Sequence, residues 1–157
     1  MSGIYRILDQ MDRAFAGDAW HGPSLMRLLE GLSSEDASKH PVSGGHSIWE
    51  LVHHIGAWKT IVDQRLRGEP ADVSPHRDWP PVWEVSDAEW KRALEDLAES
   101  HARLRQAAEG LKDDQLDQKA ASTTESRYIL LHGVVQHDLY HAGQIAVLRK
   151  ALGRTAS

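Results

Sequence analysis

Apolar residues recur along this chain at helical spacing, and nowhere do they alternate in the manner of a half-buried strand. Ile4, Ile7, Leu8, Met11 and Phe15 form one stripe, and Leu25, Leu28, Leu29 and Leu32 resume it after Asp18-Ala19-Trp20-His21-Gly22-Pro23. The pattern predicts a first helix over about 2–32, broken near 17–23. Pro41 and the pair Gly44-Gly45 mark a loop, and Ser47-Ile48-Trp49-Glu50 then has the Ser-x-x-Glu form of a capping box. A second helix is expected over 47–67. Ser86-Asp87-Ala88-Glu89 repeats the box ahead of Trp90, Leu94, Leu97, His101 and Leu104, a third helix over 87–109. After a polar stretch, Tyr128, Leu131, Val134, His141, Ile145, Leu148 and Leu152 predict a fourth over 125–152.

Four amphipathic helices without strands or internal repeats imply an all-α fold, a four-helix bundle in one domain spanning 1–157. Gly68 to Val85 holds four of the six prolines and has no period, so it reads as an irregular connection. A connection that long can carry the chain from one end of a bundle to the other, so that helices two and three run parallel.

Composition narrows the chemistry. The chain has 157 residues, with no cysteine and ten histidines against one phenylalanine. Without thiols there is no disulfide framework, thiolate zinc site, iron–sulfur cluster or cysteine nucleophile, and any metal must be held by His, Asp or Glu. A net charge of −5 and the lack of a basic stripe argue against nucleic acid as a partner. No apolar run is long enough to cross a bilayer and the first residues do not read as a signal peptide, so no membrane partner and a cytoplasmic location are expected.

His137 and His141 lie four residues apart, a separation that makes two imidazoles neighbours on one helix face. Ten histidines scattered over this length would produce roughly 0.6 such pairs by chance, so the spacing alone decides nothing. Phase adds information: at about 100° per residue both fall within the stripe of Leu131, Val134, Ile145 and Leu148, whereas His132 points away. In helix two the stripe is Ile48, Leu51, Ile55, Trp58 and Val62, with His54 at its edge and His53 close to opposite. His54 is therefore the candidate third ligand. Three neutral imidazoles with one open position are the donor set of a catalytic metal site. Hydrogen-bonded core histidines would show the same periodicity.

Other metal motifs fit less well. His137-Asp138-x-x-His141 resembles the His-Glu-x-x-His of zinc proteases with Asp for Glu, but no His, Asp or Glu follows residue 141 to complete it. Glu50-Leu51-Val52-His53 has the Glu-x-x-His form of di-iron bundles but lacks a second copy, and Glu50 already has a role in the capping box.

The segments Ser47-Ile48-Trp49-Glu50-Leu51-Val52-His53-His54-Ile55 and His137-Asp138-Leu139-Tyr140-His141-Ala142-Gly143-Gln144-Ile145 resemble those of the DinB/YfiT-like metalloenzymes. Helix order and loop lengths extend the resemblance over nearly the whole chain. It implies an up-down-down-up bundle and a divalent metal, nickel or zinc, on three histidines that correspond here to His54, His137 and His141. It also implies a thiol S-transferase or a hydrolase acting on a small molecule, a low-molecular-weight thiol as one substrate, and a homodimer.

An open metal position lowers the pKa of bound water toward about 7 or binds a thiol as thiolate. Asp138, beside His137 and turned partly inward, is a candidate general base or a partner that orients an imidazole. Tyr140 and Gln144 are candidates for pocket groups or ordinary helix packing, while His21 and His46 suit turn or cap roles. Trp49, Trp58, Trp79, Trp83 and Trp90 read as core or loop anchors. The alternative to an enzyme is a non-catalytic metal- or ligand-binding stress protein using the same histidines.

Overall fold

In the computed structural model, which describes residues 2–154, each long helix starts where a serine hydroxyl accepts a hydrogen bond from a backbone amide that has no partner within the helix. Ser2 accepts from Tyr5 N ahead of α1 (Gly3–Phe15), and Ser47 from Glu50 N ahead of α4 (Ile48–Leu66). Ser86 accepts from Glu89 N ahead of α6 (Asp87–Glu109), and Ser126 from Ile129 N ahead of α7 (Arg127–Ala151). The box at Ser47 is closed in both directions, because Glu50 returns a carboxylate oxygen to Ser47 N at 2.8 Å. At Ser86 only the forward bond forms, and Glu89 instead faces Arg92 at 3.4 Å. Residue 1 and residues 155–157 of the expected domain lie outside the described residues.

The short elements differ from expectation. The second piece of the first helix, α2 (Leu25–Leu29), stops before Leu32 because Glu30 is extended and Gly31 takes φ +71°, a left-handed conformation that glycine adopts without strain. A further turn, α3 (Ser34–Ser38), follows under its own cap from Ser33. The connection between α4 and α6 contains one turn, α5 (Pro75–Asp78), opened by a proline at its first position, where no amide hydrogen is needed. No strand forms among the described residues.

Side-chain contacts give the direction of each helix. Trp49 packs on Trp90, Gly56 faces Leu97 and Ser100, and Arg67 reaches the carbonyl of Arg103, so α4 and α6 run parallel. Lys59 meets Asp138 while Ala121, just before α7, donates to Arg65 at the far end of α4, so α7 runs against α4. Arg105 binds Asp12 and Asp113 binds the amides of Gly3 and Ile4, so α1 runs against α6. The course is up-down-down-up.

Two apolar clusters fill the bundle. One gathers Phe15, Leu25, Trp49, Ile55, Leu97 and Ile145, and the other Ile4, Met11, Val62, Leu66, Leu104 and Leu131. Between them, near mid-length of α4 and α7, runs a layer of polar side chains containing Lys59, Asp138 and His141. Among the described residues no helix is long and apolar enough to cross a membrane.

Candidate metal centre

His54 of α4 and His137 and His141 of α7 are brought together, and their Nε2 atoms converge. His137 Nε2 lies 3.0 Å from His54 Nε2 and 3.1 Å from His141 Nε2. Among the described residues this is the group of His, Asp and Glu side chains able to hold a metal ion. His53, expected opposite, is turned away, accepting from Trp49 Nε1 at 3.0 Å and donating from Nδ1 to the Pro80 carbonyl at 3.2 Å.

The outer ring nitrogens explain why the inner ones are available. His54 Nδ1 donates to the Asp78 carbonyl at 2.7 Å, and His141 Nδ1 donates to Gln144 Oε1 at 2.6 Å. Both acceptors carry no proton, so they hold these rings in the tautomer whose Nε2 is a bare lone pair. Burial pushes the affinity of both imidazoles for protons down, so they are neutral at pH 7. His137 is pushed to about 3, by burial first and then by the neighbouring His141 and His54. One neutral His137 has a single Nε2 proton at most and cannot satisfy two facing lone pairs. One of the two short N–N contacts therefore lacks a proton, and a shared cation is the species that fits this donor set.

The α4–α6 connection builds one wall. Trp79 stacks on His54 with ring centroids 3.8 Å apart, and His46 stacks on the other face of Trp79 at 3.6 Å. Asp78 accepts from Trp58 Nε1 at 2.8 Å, which anchors the turn whose carbonyl holds His54. His46 also faces Glu50 at 3.3 Å, so the cap role expected for it and a place in the wall coexist. Sequence reasoning did not single out Asp78, and Trp79 carried no sign beyond its residue type. Trp49 and Trp90 are core residues as expected, but Trp83 is 89% exposed and anchors nothing of the core.

Asp138 faces Lys59 of α4. It is fully buried, and its Oδ2 accepts from Lys59 Nζ at 2.6 Å, while Oδ1 has no hydrogen-bond partner. The carboxylate is thus aimed across the bundle at α4 and neither orients an imidazole nor reaches solvent as a base would. Burial pushes its pKa up and that of Lys59 down, and the attraction between the two opposes both shifts. Position 138 follows His137 by about 100°, and helical phase separates inward from outward without saying which inward neighbour a side chain meets. Tyr140, 66% exposed, sets its ring 5.0 Å from that of His141, and Gln144 is the orienting group.

Comparison with known proteins agrees with this architecture. The signature of the DinB superfamily matches residues 19–145. The crystal structure of a conserved protein from Enterococcus faecalis is similar over 98% of this chain and 99% of that one, with 18% identity and a TM-score of 0.70, a likeness of fold. No curated protein matches the chain.

Proposed function

The chain belongs to the DinB superfamily, and from that premise and the convergence of three imidazoles we propose that it is a divalent-metal-dependent enzyme acting on a small molecule, a thiol S-transferase or a hydrolase. The observation that carries the reading is the meeting of three Nε2 atoms whose outer nitrogens, at His54 and His141, are already engaged by proton acceptors. His54, His137 and His141 would hold the ion, and nickel or zinc suits three imidazoles. When bound, such an ion polarises an oxygen or sulfur ligand and makes a nucleophile available at neutral pH.

The protein's own side chains supply the rest. The Asp78 carbonyl and Gln144 fix two rings against rotation, so little ordering is left for binding to accomplish. Trp79 covers one face of His54 and keeps water from it. The three ligands are all neutral, so the ion's charge is not cancelled by a carboxylate and its effect on a bound group is correspondingly large.

Metal analysis of untagged protein after dialysis against zinc or nickel tests the first half. Close to one equivalent is expected, falling to background in His54→Ala, and less than about 0.1 equivalent in the wild type would end the proposal. Turnover tests the second half, by presenting electrophiles with several low-molecular-weight thiols, and separately esters and amides, to loaded protein. Turnover that persists unchanged in a His54→Ala protein lacking metal would show that the three imidazoles are not the reacting centre.

A further inference from the structure

A cavity of about 350 Å³ opens between α4 and the N-terminal half of α7, and His137 forms part of its wall. Most of the remaining lining is apolar, Trp58 and Val62 from α4 and Ile129, Leu130 and Val134 from α7, while the exposed Glu125, just ahead of α7, lies about three helical turns from His137. Ile129 is 48% exposed, so an apolar side chain is left facing water at this site. Lys59 also lines the cavity, but its ammonium is occupied by Asp138 and offers no charge to a ligand. Cavities of this size with mainly apolar walls and a few polar groups are typical of small-molecule sites.

We propose that this cavity takes the apolar tail, of aromatic-bicycle size, of a small ligand whose head group lies at the three histidines. The inference rests on the metal reading of those histidines for the head and is independent of it for the tail. A larger groove of about 600 Å³ runs past the other half of α7, lined by His46, Leu51, Tyr140 and Gln144, but none of the three converging imidazoles lines it. A tail lying there would approach the histidines past Gln144, which His141 engages at 2.6 Å, and not past His137.

Two glycines make the distinction testable. Gly133 lies in the wall of the cavity and Gly143 in that of the larger groove, and a Cβ at either would meet no heavy atom within 4 Å. Both sit in α7, where leucine is a better helix former than glycine. Gly133→Leu therefore fills the cavity and Gly143→Leu fills the groove, each with the bundle left intact.

The probes are acetohydroxamate and 2-naphthohydroxamate, which share a metal-binding head and differ in the tail, titrated into zinc-loaded protein by calorimetry. The naphthyl compound is expected to bind about thirtyfold more tightly than the methyl one. Gly133→Leu should remove about tenfold or more of that preference while zinc content and acetohydroxamate affinity stay as in the wild type. Gly133→Ala should remove a smaller part, and Gly143→Leu none. Equal affinity for the two probes overturns the proposal, as does a preference abolished by Gly143→Leu and kept by Gly133→Leu. If the wild type holds no zinc, the metal reading fails by itself. The cavity is then judged by 2-naphthamide and metal-free protein, where binding lost in Gly133→Leu supports it and no binding to the wild type overturns it.

Discussion

His54, His141 and His101 are buried alike, at 6, 5 and 7% exposure, yet only the first two belong to the candidate metal centre. The difference lies in what surrounds the ring. His101 stacks on Phe15 at 3.7 Å, and its Nδ1 is buried without a hydrogen-bond partner. His141 has Gln144, and the value of that bond can be measured: Gln144→Ala leaves three ligands in place but frees one ring, and zinc affinity by competition with a chelator should fall about 10- to 100-fold. An unchanged affinity would mean that helix packing alone orients His141. For His101, burial first and the nearby Lys59 and Arg105 charges next push the imidazole down to about 3, against about 6.5 in an unfolded chain. The unfolded state therefore takes up a proton that the folded state refuses, and stability present above about pH 6.5 is lost as the pH falls toward 3. At pH 5 the contribution is about 2 kcal/mol. Urea unfolding of metal-free protein at pH 7 and 5 should show His101→Leu losing less stability than the wild type by about that amount. Equal losses would place the acid sensitivity in other groups.

At the scale of elements, α4 and α7 are joined in mid-bundle by a buried ion pair where an all-apolar core would be expected. Lys59 and Asp138 are 1% and 0% exposed, and the pair separates the two apolar clusters. Removing one partner leaves the other charge buried and alone, so Lys59→Met or Asp138→Asn should each lower the unfolding free energy by about 3–5 kcal/mol. The double variant Lys59→Met/Asp138→Leu should lie closer to the wild type than either single variant, because no charge then remains to be solvated. Losses that simply add in the double variant would show that the two side chains act separately. The α4–α6 connection is the other element with more than a linking role. Its length and prolines marked it as irregular, and parallel α4 and α6 explain why it is long. Its contribution to the site, the Asp78 carbonyl under His54 and the Trp79 indole over it, depends on backbone groups and on a fold-back of 24 residues that no periodicity encodes.

For the whole molecule, the metal proposal makes folding and binding one equilibrium. A ligand held only by the folded state stabilises it by about 2.7 kcal/mol at a hundred times its dissociation constant. For a chain of this size that corresponds to a rise in Tm of about 5–10 °C on adding zinc, measured by calorimetry, and His141→Ala should abolish it. A rise that survives in the variant would mean that zinc binds elsewhere. The starts of α4 and α6 were legible because their causes are local: Ser47 and Ser86 cap the amides just ahead of them, and the apolar stripes repeat with the helical turn. The ends of the short elements were not, since α2 stops at a left-handed Gly31 and α3 is a single turn with too few residues to show a period. Phase along one helix was also enough to turn His54, His137 and His141 inward and His53 away. It could not say what each inward group would meet. Asp138 found Lys59 from 79 residues away, His54 found Asp78 and Trp79, and the cavity beside His137 exists only between two packed helices. Capping and amphipathic spacing act over three or four residues and so are written in the order of the chain. Pairing of buried charges, choice of imidazole tautomer and the shape of a cavity depend on which surfaces are pressed together, and in this protein those were decided by the packing of the bundle.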